Sequence, residues 1–60
     1  MPVITIEGPK ITKEQKEQLV SEFVTSASKI LNIPHQAFVT IIKENEPDNI
    51  GTGTQLLSNK

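Results

Sequence analysis

The residue with the most distinctive chemistry is Pro2, directly after the first methionine. If Met1 is removed, Pro2 gains a free secondary amine whose ring is held in one direction by the chain that follows. A positioned amine with a lowered pKa can take up and release protons near neutral pH, which an amide nitrogen cannot do. Because Met-Pro is also a common start of a protein, Pro2 is a candidate general base and acid that needs support from the rest of the chain.

Lys10 is a second candidate, because it follows shortly after the segment that begins at Pro2. A nearby cation disfavours protonation of an amine and lowers its pKa. An ammonium group can also hold a substrate carboxylate as a point charge. The loop that carries Lys10 could bring it to Pro2 of its own chain or of a neighbouring subunit. A solvated loop lysine is an equally good interpretation.

Three other patterns have simpler structural explanations. The Gly-Thr-Gly run at 51–53 lacks the third glycine and the following helix of a dinucleotide-binding loop, so a hairpin is expected. Glu44, Glu46 and Asp48 alternate like calcium ligands but lack the spacing of an EF-hand, which indicates a solvated turn. His35 is the only histidine and is expected in a surface turn. The sequence therefore predicts no metal site and no cofactor.

Composition limits what a chain of 60 residues can do. It contains no cysteine, which excludes disulfides and thiolate metal sites. The net charge is −1 and the only aromatic residues are two phenylalanines, whereas nucleic-acid binding needs a basic surface and usually stacking aromatics. No apolar run approaches the ~18 residues of a membrane span, and no leader peptide opens the chain. We therefore expect a cytoplasmic protein without nucleic-acid or membrane partners.

Hydrophobic spacing predicts a β-α-β unit. Residues 3–7 begin with four β-branched residues, which favour a strand. Thr12 and Gln15 fit a capping box, and apolar residues then recur on one helix face up to about Leu31. Residues 38–43 form the second strand. Because a long helix lies between the two strands, they are expected to be parallel, with a right-handed crossover.

The end of the chain is predicted to form a turn and a hairpin. Residues 44–49 are polar, with Pro47 suited to the second position of a turn. Glycines within residues 50–54 permit the positive φ of a hairpin turn. Residues 1–60 are expected to form a single α/β domain.

Both faces of the second strand are apolar. Phe38 and Ile42 point to one face, while Val39 and Ile41 point to the other. The single helix can cover only one of these faces. A core of fewer than about 70–80 residues rarely supplies more than ~3–5 kcal/mol without help from metal, disulfides or oligomerisation. The sequence therefore predicts a homo-oligomer in which a second subunit covers the remaining face.

Together these features resemble the 4-oxalocrotonate tautomerase family, along essentially the whole chain. The family's features are a Met-Pro start, a β-α-β unit and four short motifs in order: Glu7-Gly8, Glu14-Gln15-Lys16, Ile41-Ile42 with Glu44, and Ile50-Gly51-Thr52-Gly53. The resemblance implies a mature protein that begins at Pro2, whose amine is the general base and acid in keto–enol tautomerisation. It also implies dimers that complete a four-stranded sheet, and a hexamer built as a trimer of such dimers.

The sequence departs from the family prototype at three substrate-binding positions. The prototype binds a dicarboxylate with two arginines, which correspond here to Lys10 and Val39, and walls its pocket with an aromatic residue that corresponds to Ile50. Lysine cannot reproduce the bidentate fork of arginine, and valine cannot bind an anion. The resemblance therefore implies proton transfer at Pro2, with a substrate other than the prototype's dicarboxylate.

Three functions are compatible with these residues. The first is a tautomerase that moves a proton on a small unsaturated oxo acid, with Lys10, Val39 and Ile50 around the substrate. The second is hydration or dehalogenation by Pro2 acting as a charged acid. The third is a non-catalytic oligomeric scaffold, which the absence of arginine favours and the Met-Pro start disfavours. We expect the tautomerase.

Overall fold

The structure is a computed structural model that describes residues 1–59, and its main part is a β-α-β unit. Strand β1 covers Val3–Gly8, helix α1 covers Lys13–Leu31 and strand β2 covers Val39–Glu44. Strands β1 and β2 pair in parallel, with α1 as the connection between them. The predicted fold class is confirmed.

A short antiparallel hairpin follows the β-α-β unit, as predicted. Its strands are β3 (Gly51–Thr52) and β4 (Gln55–Leu56). Gly53 takes a positive φ of 63° in the turn between them, which a glycine adopts without steric cost. The polar turn before the hairpin is a 3-10 helix at Pro47–Asn49, with proline at its start.

Local capping chemistry sets both ends of α1. The Thr12 hydroxyl accepts a hydrogen bond from the Gln15 N–H at 3.1 Å, and the Gln15 side chain accepts one from the Thr12 N–H at 3.0 Å. At the other end, Asn32 has a left-handed φ of 58° and its N–H donates to the carbonyl of Ser28 at 2.9 Å. The predicted capping box and the predicted helix end are both confirmed.

The two strands differ by one residue from their predicted ends. β1 includes Gly8, which pairs with Glu44 in register instead of stopping the strand. Its carbonyl also accepts a hydrogen bond from the Asn45 N–H at 2.8 Å. β2 begins at Val39 and not at Phe38, because the Phe38 N–H donates to His35 in a 3-10 turn at 3.2 Å. Strand ends therefore depend on partners that lie far away in sequence.

The sheet has one face toward α1 and one uncovered face. Residues at even positions, such as Ile4, Ile6 and Ile42, are half-buried, which agrees with the predicted alternation. We call the uncovered side the open face, and its cross-strand pairs are Val3 with Val39, Thr5 with Ile41, and Glu7 with Lys43. Its apolar members remain exposed, Val3 by 56%, Ile41 by 41% and Val39 by 37%.

The isolated chain is more open than a compact domain of its size. Its accessible surface is 4849 Å², whereas a compact monomer of 6.6 kDa exposes roughly 3,900 Å². Its radius of gyration is 14.8 Å, compared with about 10 Å for a compact domain of this length. Among residues 1–59, only Val24 is buried. These properties favour the predicted self-association, which stays a prediction.

Candidate active site

Pro2 is fixed by the backbone at the start of the sheet. Its carbonyl accepts a hydrogen bond from the Val39 N–H at 3.0 Å, which continues the β1–β2 ladder by one residue. Pro2 is half-buried, while Met1 is 92% exposed and projects away from the fold. Removal of Met1 therefore costs the fold little apolar burial. The same removal turns an amide nitrogen, whose lone pair is delocalised, into an amine at a fixed place.

Val39 lies next to Pro2 along the backbone, at the same end of the sheet. It pairs in register with Val3, and its side chain lies on the open face. His35 belongs to the 3-10 turn just before this end and is exposed, as predicted for a surface turn. Pro2 and Val39 are therefore brought together within one chain by a backbone hydrogen bond.

Lys10 lies at the opposite end of β1. The six residues of β1 separate Pro2 from Lys10 by roughly 20 Å, and the four-carbon stem of a lysine does not bridge that length. The loop is held at this far end, because the Ile11 N–H donates to the Glu44 side chain at 3.0 Å. Of the two expected arrangements, this separation disfavours a meeting of Lys10 with Pro2 of its own chain. The meeting with a neighbouring subunit's Pro2 stays a prediction.

Ile50 also lies beyond the end of the sheet that carries Lys10. The chain leaves β2 at Glu44, and Ile50 follows the 3-10 turn after it. Its N–H donates to the carbonyl of Pro47 at 3.3 Å, and its own carbonyl accepts from the Leu57 N–H at 2.7 Å. Ile50 is half-buried at the base of the hairpin. The structure thus joins Pro2 and Val39 by a hydrogen bond at one end of the sheet, whereas Lys10 and Ile50 both follow the strands at the other end.

Glu44 makes contacts that the sequence did not reveal. Its carboxylate accepts the hydrogen bond from Ile11 and lies 3.2 Å from the ammonium group of Lys16. The hydrogen bond from Ile11 is the main cause that lowers the pKa of Glu44 below 4.5, followed by the hydrogen bond from Lys16. From sequence, Glu44 was placed in the polar turn after the second strand, because its partners depend on the β1–β2 register.

Two surface grooves of the single chain lie away from Pro2. An open groove of about 350 Å³ runs along α1, and a smaller one of about 80 Å³ lies where the loop after β1 meets the helix. The smaller groove is lined by seven residues: Ile6, Gly8, Pro9, Ile11, Leu19, Ile42 and Lys43. Among residues 1–59, the grooves found therefore do not enclose the predicted base.

Comparison with known proteins gives a match to one family. The family described as tautomerase enzymes matches residues 2–60. No curated protein matches the chain. No helix within residues 1–59 is long and apolar enough to cross a membrane.

Several solved structures are similar over their whole length. A 4-oxalocrotonate tautomerase homologue is 28% identical with a TM-score of 0.89, and the match covers 100% of this chain and 97% of that one. DmpI from Helicobacter pylori is 30% identical with a TM-score of 0.85, over 98% of this chain and 100% of that one. An apo unfused 4-OT is 30% identical with a TM-score of 0.86, over 100% of both chains.

Proposed function

The chain belongs to the tautomerase family and is an enzyme with tautomerase activity, and from that premise we propose that Pro2 is its general base and acid. After removal of Met1, the neutral amine takes a proton from the enol or the adjacent carbon of a small unsaturated oxo acid. The resulting ammonium returns a proton to another carbon, and the amine is neutral again. The observation that carries this proposal is the 3.0 Å hydrogen bond from Val39, which fixes Pro2 at the start of the sheet.

Once a second subunit covers the open face, the surroundings of Pro2 would suit a neutral amine. Val3 and Val39 form an apolar pair beside it, and Phe38 precedes the strand on the helix side. Apolar surroundings disfavour the protonated form of an amine and lower its pKa. A base whose pKa lies near the working pH is the most effective for proton transfer in both directions. The hydratase alternative needs the opposite, an amine that stays protonated.

We propose that the site is shared between subunits of a homo-oligomer, a hexamer built as a trimer of dimers. Pro2 and Val39 would come from one end of one chain, and Lys10 would come from the far end of a neighbour. The roughly 20 Å between the two ends of β1 supports this sharing, since neither end holds a complete set of groups. The exposed open face, with Ile41 at its centre, supports burial of the sheet in such an assembly.

The substrate that fits these residues carries a single carboxylate. Lys10 would hold that carboxylate, while Val39 and Ile50 would contact an apolar substituent. The chain contains no arginine, and a hydrogen bond between charged groups is worth about 1.5–3 kcal/mol. The absence of a second cation should therefore lower kcat/KM for a dicarboxylate by roughly ten- to a hundredfold. We propose a preference for monocarboxylate or weakly charged enols.

The experiment that tests Pro2 compares three forms of the protein with a simple enol substrate. Processed protein should ketonise the enol, and Pro2→Ala should lose most of that activity while its primary amine retains a small part. Protein that retains Met1 should be less active still, because it has no amine at this position. Equal turnover by the processed form and the form that retains Met1 would exclude Pro2 as the base.

The experiment that tests the substrate class measures kcat/KM for a dicarboxylate and its monocarboxylate analogue on the same processed protein. We expect the monocarboxylate to be preferred. Lys10→Ala should raise KM more than it lowers kcat, because uniform binding affects KM alone. A clear preference for the dicarboxylate would mean that another cation, such as Lys43, takes the second carboxylate.

A further inference from the structure

Glu44 joins three segments at the end of the sheet that carries Lys10. The residue ends β2 and pairs in register with Gly8 at the end of β1. Its side chain accepts a hydrogen bond from the Ile11 N–H, which joins residues 33 positions apart. The same carboxylate oxygen lies 3.2 Å from Nζ of Lys16 in the first turns of α1. The loop between β1 and α1 is thus anchored at its middle.

Lys10 is constrained on both sides by this arrangement. Pro9 precedes it and fixes its own φ near −65°, and Ile11 follows it with its N–H held by Glu44. The Glu44 carboxylate is already engaged by Ile11 and Lys16, and Lys10 forms no ion pair within 4.0 Å among residues 1–59. The charge of Lys10 acts on Glu44 only as the weakest of the attractions that lower the pKa of that carboxyl. The ammonium group of Lys10 therefore remains available to an external anion, on a backbone that is held in place.

We propose that Glu44 is a positioning residue that holds Lys10 for the substrate carboxylate. The inference rests on the proposed role of Lys10 and adds the reason why that lysine can act from a loop. A loop that is already ordered loses little conformational entropy when it binds a ligand, whereas a free loop must lose that entropy on binding. Glu44 touches no reacting atom in this scheme. It acts through the Ile11 N–H.

Two substitutions separate the reach of Glu44 from its charge. Glu44→Gln keeps an oxygen acceptor at the same distance but loses the charge that strengthens the hydrogen bond, so KM should rise only severalfold. Glu44→Asp keeps the charge but shortens the side chain by one methylene, so the oxygen no longer reaches Ile11. We expect Glu44→Asp to raise KM for a monocarboxylate enol about tenfold, the ratio for one lost hydrogen bond to a charged group. The value of kcat should change little in either variant.

The matched control is Glu46→Asp. Glu46 is exposed two residues further along, and its side chain makes no hydrogen bond or ion pair among residues 1–59. The same shortening there should leave KM unchanged. Amide hydrogen exchange gives a readout that does not depend on activity: exchange at Ile11 should be fastest in Glu44→Asp and intermediate between that rate and the parent rate in Glu44→Gln.

A double-mutant cycle with Lys10→Ala distinguishes failure of this inference from failure of the proposed function. If Glu44 acts through Lys10, Glu44→Asp should raise KM in the parent and have no further effect in the Lys10→Ala background. An unchanged KM in Lys10→Ala would refute the proposed role of Lys10 itself. A raised KM in Lys10→Ala, combined with an unchanged KM in Glu44→Asp, would refute only the positioning role of Glu44. A larger rise in KM in Glu44→Gln than in Glu44→Asp would also refute the positioning role, because the charge of residue 44 and not the length of its side chain would then determine KM.

Discussion

Mixing of two impaired variants tests whether the site is shared between chains. Pro2→Ala lacks the proposed base, and Lys10→Ala lacks the proposed carboxylate-binding cation. The structure holds these residues roughly 20 Å apart, at the two ends of the six-residue strand β1. Every complete site must then take Pro2 from one chain and Lys10 from another. Subunits of the two variants should therefore complement each other when they are dissociated, mixed and reassembled.

The expected recovery follows from the composition of the mixture. In an equal mixture, half of the Pro2 positions and half of the Lys10 positions are intact, and a shared site draws them from different chains. About a quarter of the sites should then be of the parent type. The assay is kcat/KM for a monocarboxylate enol. Substrate concentrations are kept well below KM, so that the raised KM of sites without Lys10 fully lowers the measured rate. The controls are each variant reassembled alone and the two variants mixed without dissociation.

The refuting result is a reassembled mixture no more active than the average of its two components. Such a result would mean that Pro2 and Lys10 act within one chain or that Lys10 has no role. Since one chain would need to bend β1 back on itself to join them, the first explanation would contradict the β1–β2 pairing itself. The Lys10→Ala variant measured alone decides between the two explanations. Lost activity would leave the first explanation, and retained activity would mean that Lys10 has no role.

Three further predictions concern assembly, stability and pH. Ile41→Lys should dissociate the oligomer. Burial of the 41% of Ile41 that is exposed is worth roughly 1 kcal/mol per subunit, and a buried unpaired ammonium is strongly unfavourable. Sedimentation should show monomers, whereas the control Thr25→Lys on the exposed side of α1 should leave the oligomer intact. Thr40→Val should raise the free energy of unfolding by about 1 kcal/mol, because the Thr40 hydroxyl is buried without a hydrogen-bond partner among residues 1–59. Denaturation at one protomer concentration measures this change. A decrease in the free energy of unfolding would mean that the hydroxyl has a partner. Glu44 should stabilise the fold above pH 4.5, its ordinary pKa, and this effect should be lost as the pH falls through the lowered pKa of the folded state. The main cause of the lowered pKa is the hydrogen bond from Ile11. The difference in the free energy of unfolding between the parent and Glu44→Gln should therefore shrink in acid, and a constant difference would contradict this.

Elements set by local chemistry could be predicted from the sequence. The capping box at Thr12 and the left-handed Asn32 fix α1 through contacts within a few residues, so its bounds were visible in the spacing alone. The alternation of the second strand likewise predicted that Val39 and Ile41 share one face, although it did not say which face the helix covers. The predicted strand ends were less accurate. Gly8 is included in β1 by its pairing with the distant Glu44, and Phe38 is excluded from β2 by its hydrogen bond to His35.

The site was only partly predictable for the same reason. Pro2 stands out by its position after Met1, and no register is needed to notice it. The separation of Pro2 from Lys10 was present in the sequence as well, since one residue precedes and the other follows the same predicted strand. Glu44 could not be assigned, because its contacts with Ile11 and Lys16 exist only once β1 and β2 are paired in register and α1 packs beside them.

The measurement that tests the central claim most directly is titration of the Pro2 amine in the processed, assembled protein, with its nitrogen labelled and observed by NMR. A tautomerase with Pro2 as its base requires an amine that is mostly neutral at pH 7, and the same titration should govern the pH dependence of kcat/KM for the enol substrate. An amine that stays protonated across the pH range in which the enzyme turns over would contradict the account and favour the hydratase chemistry instead.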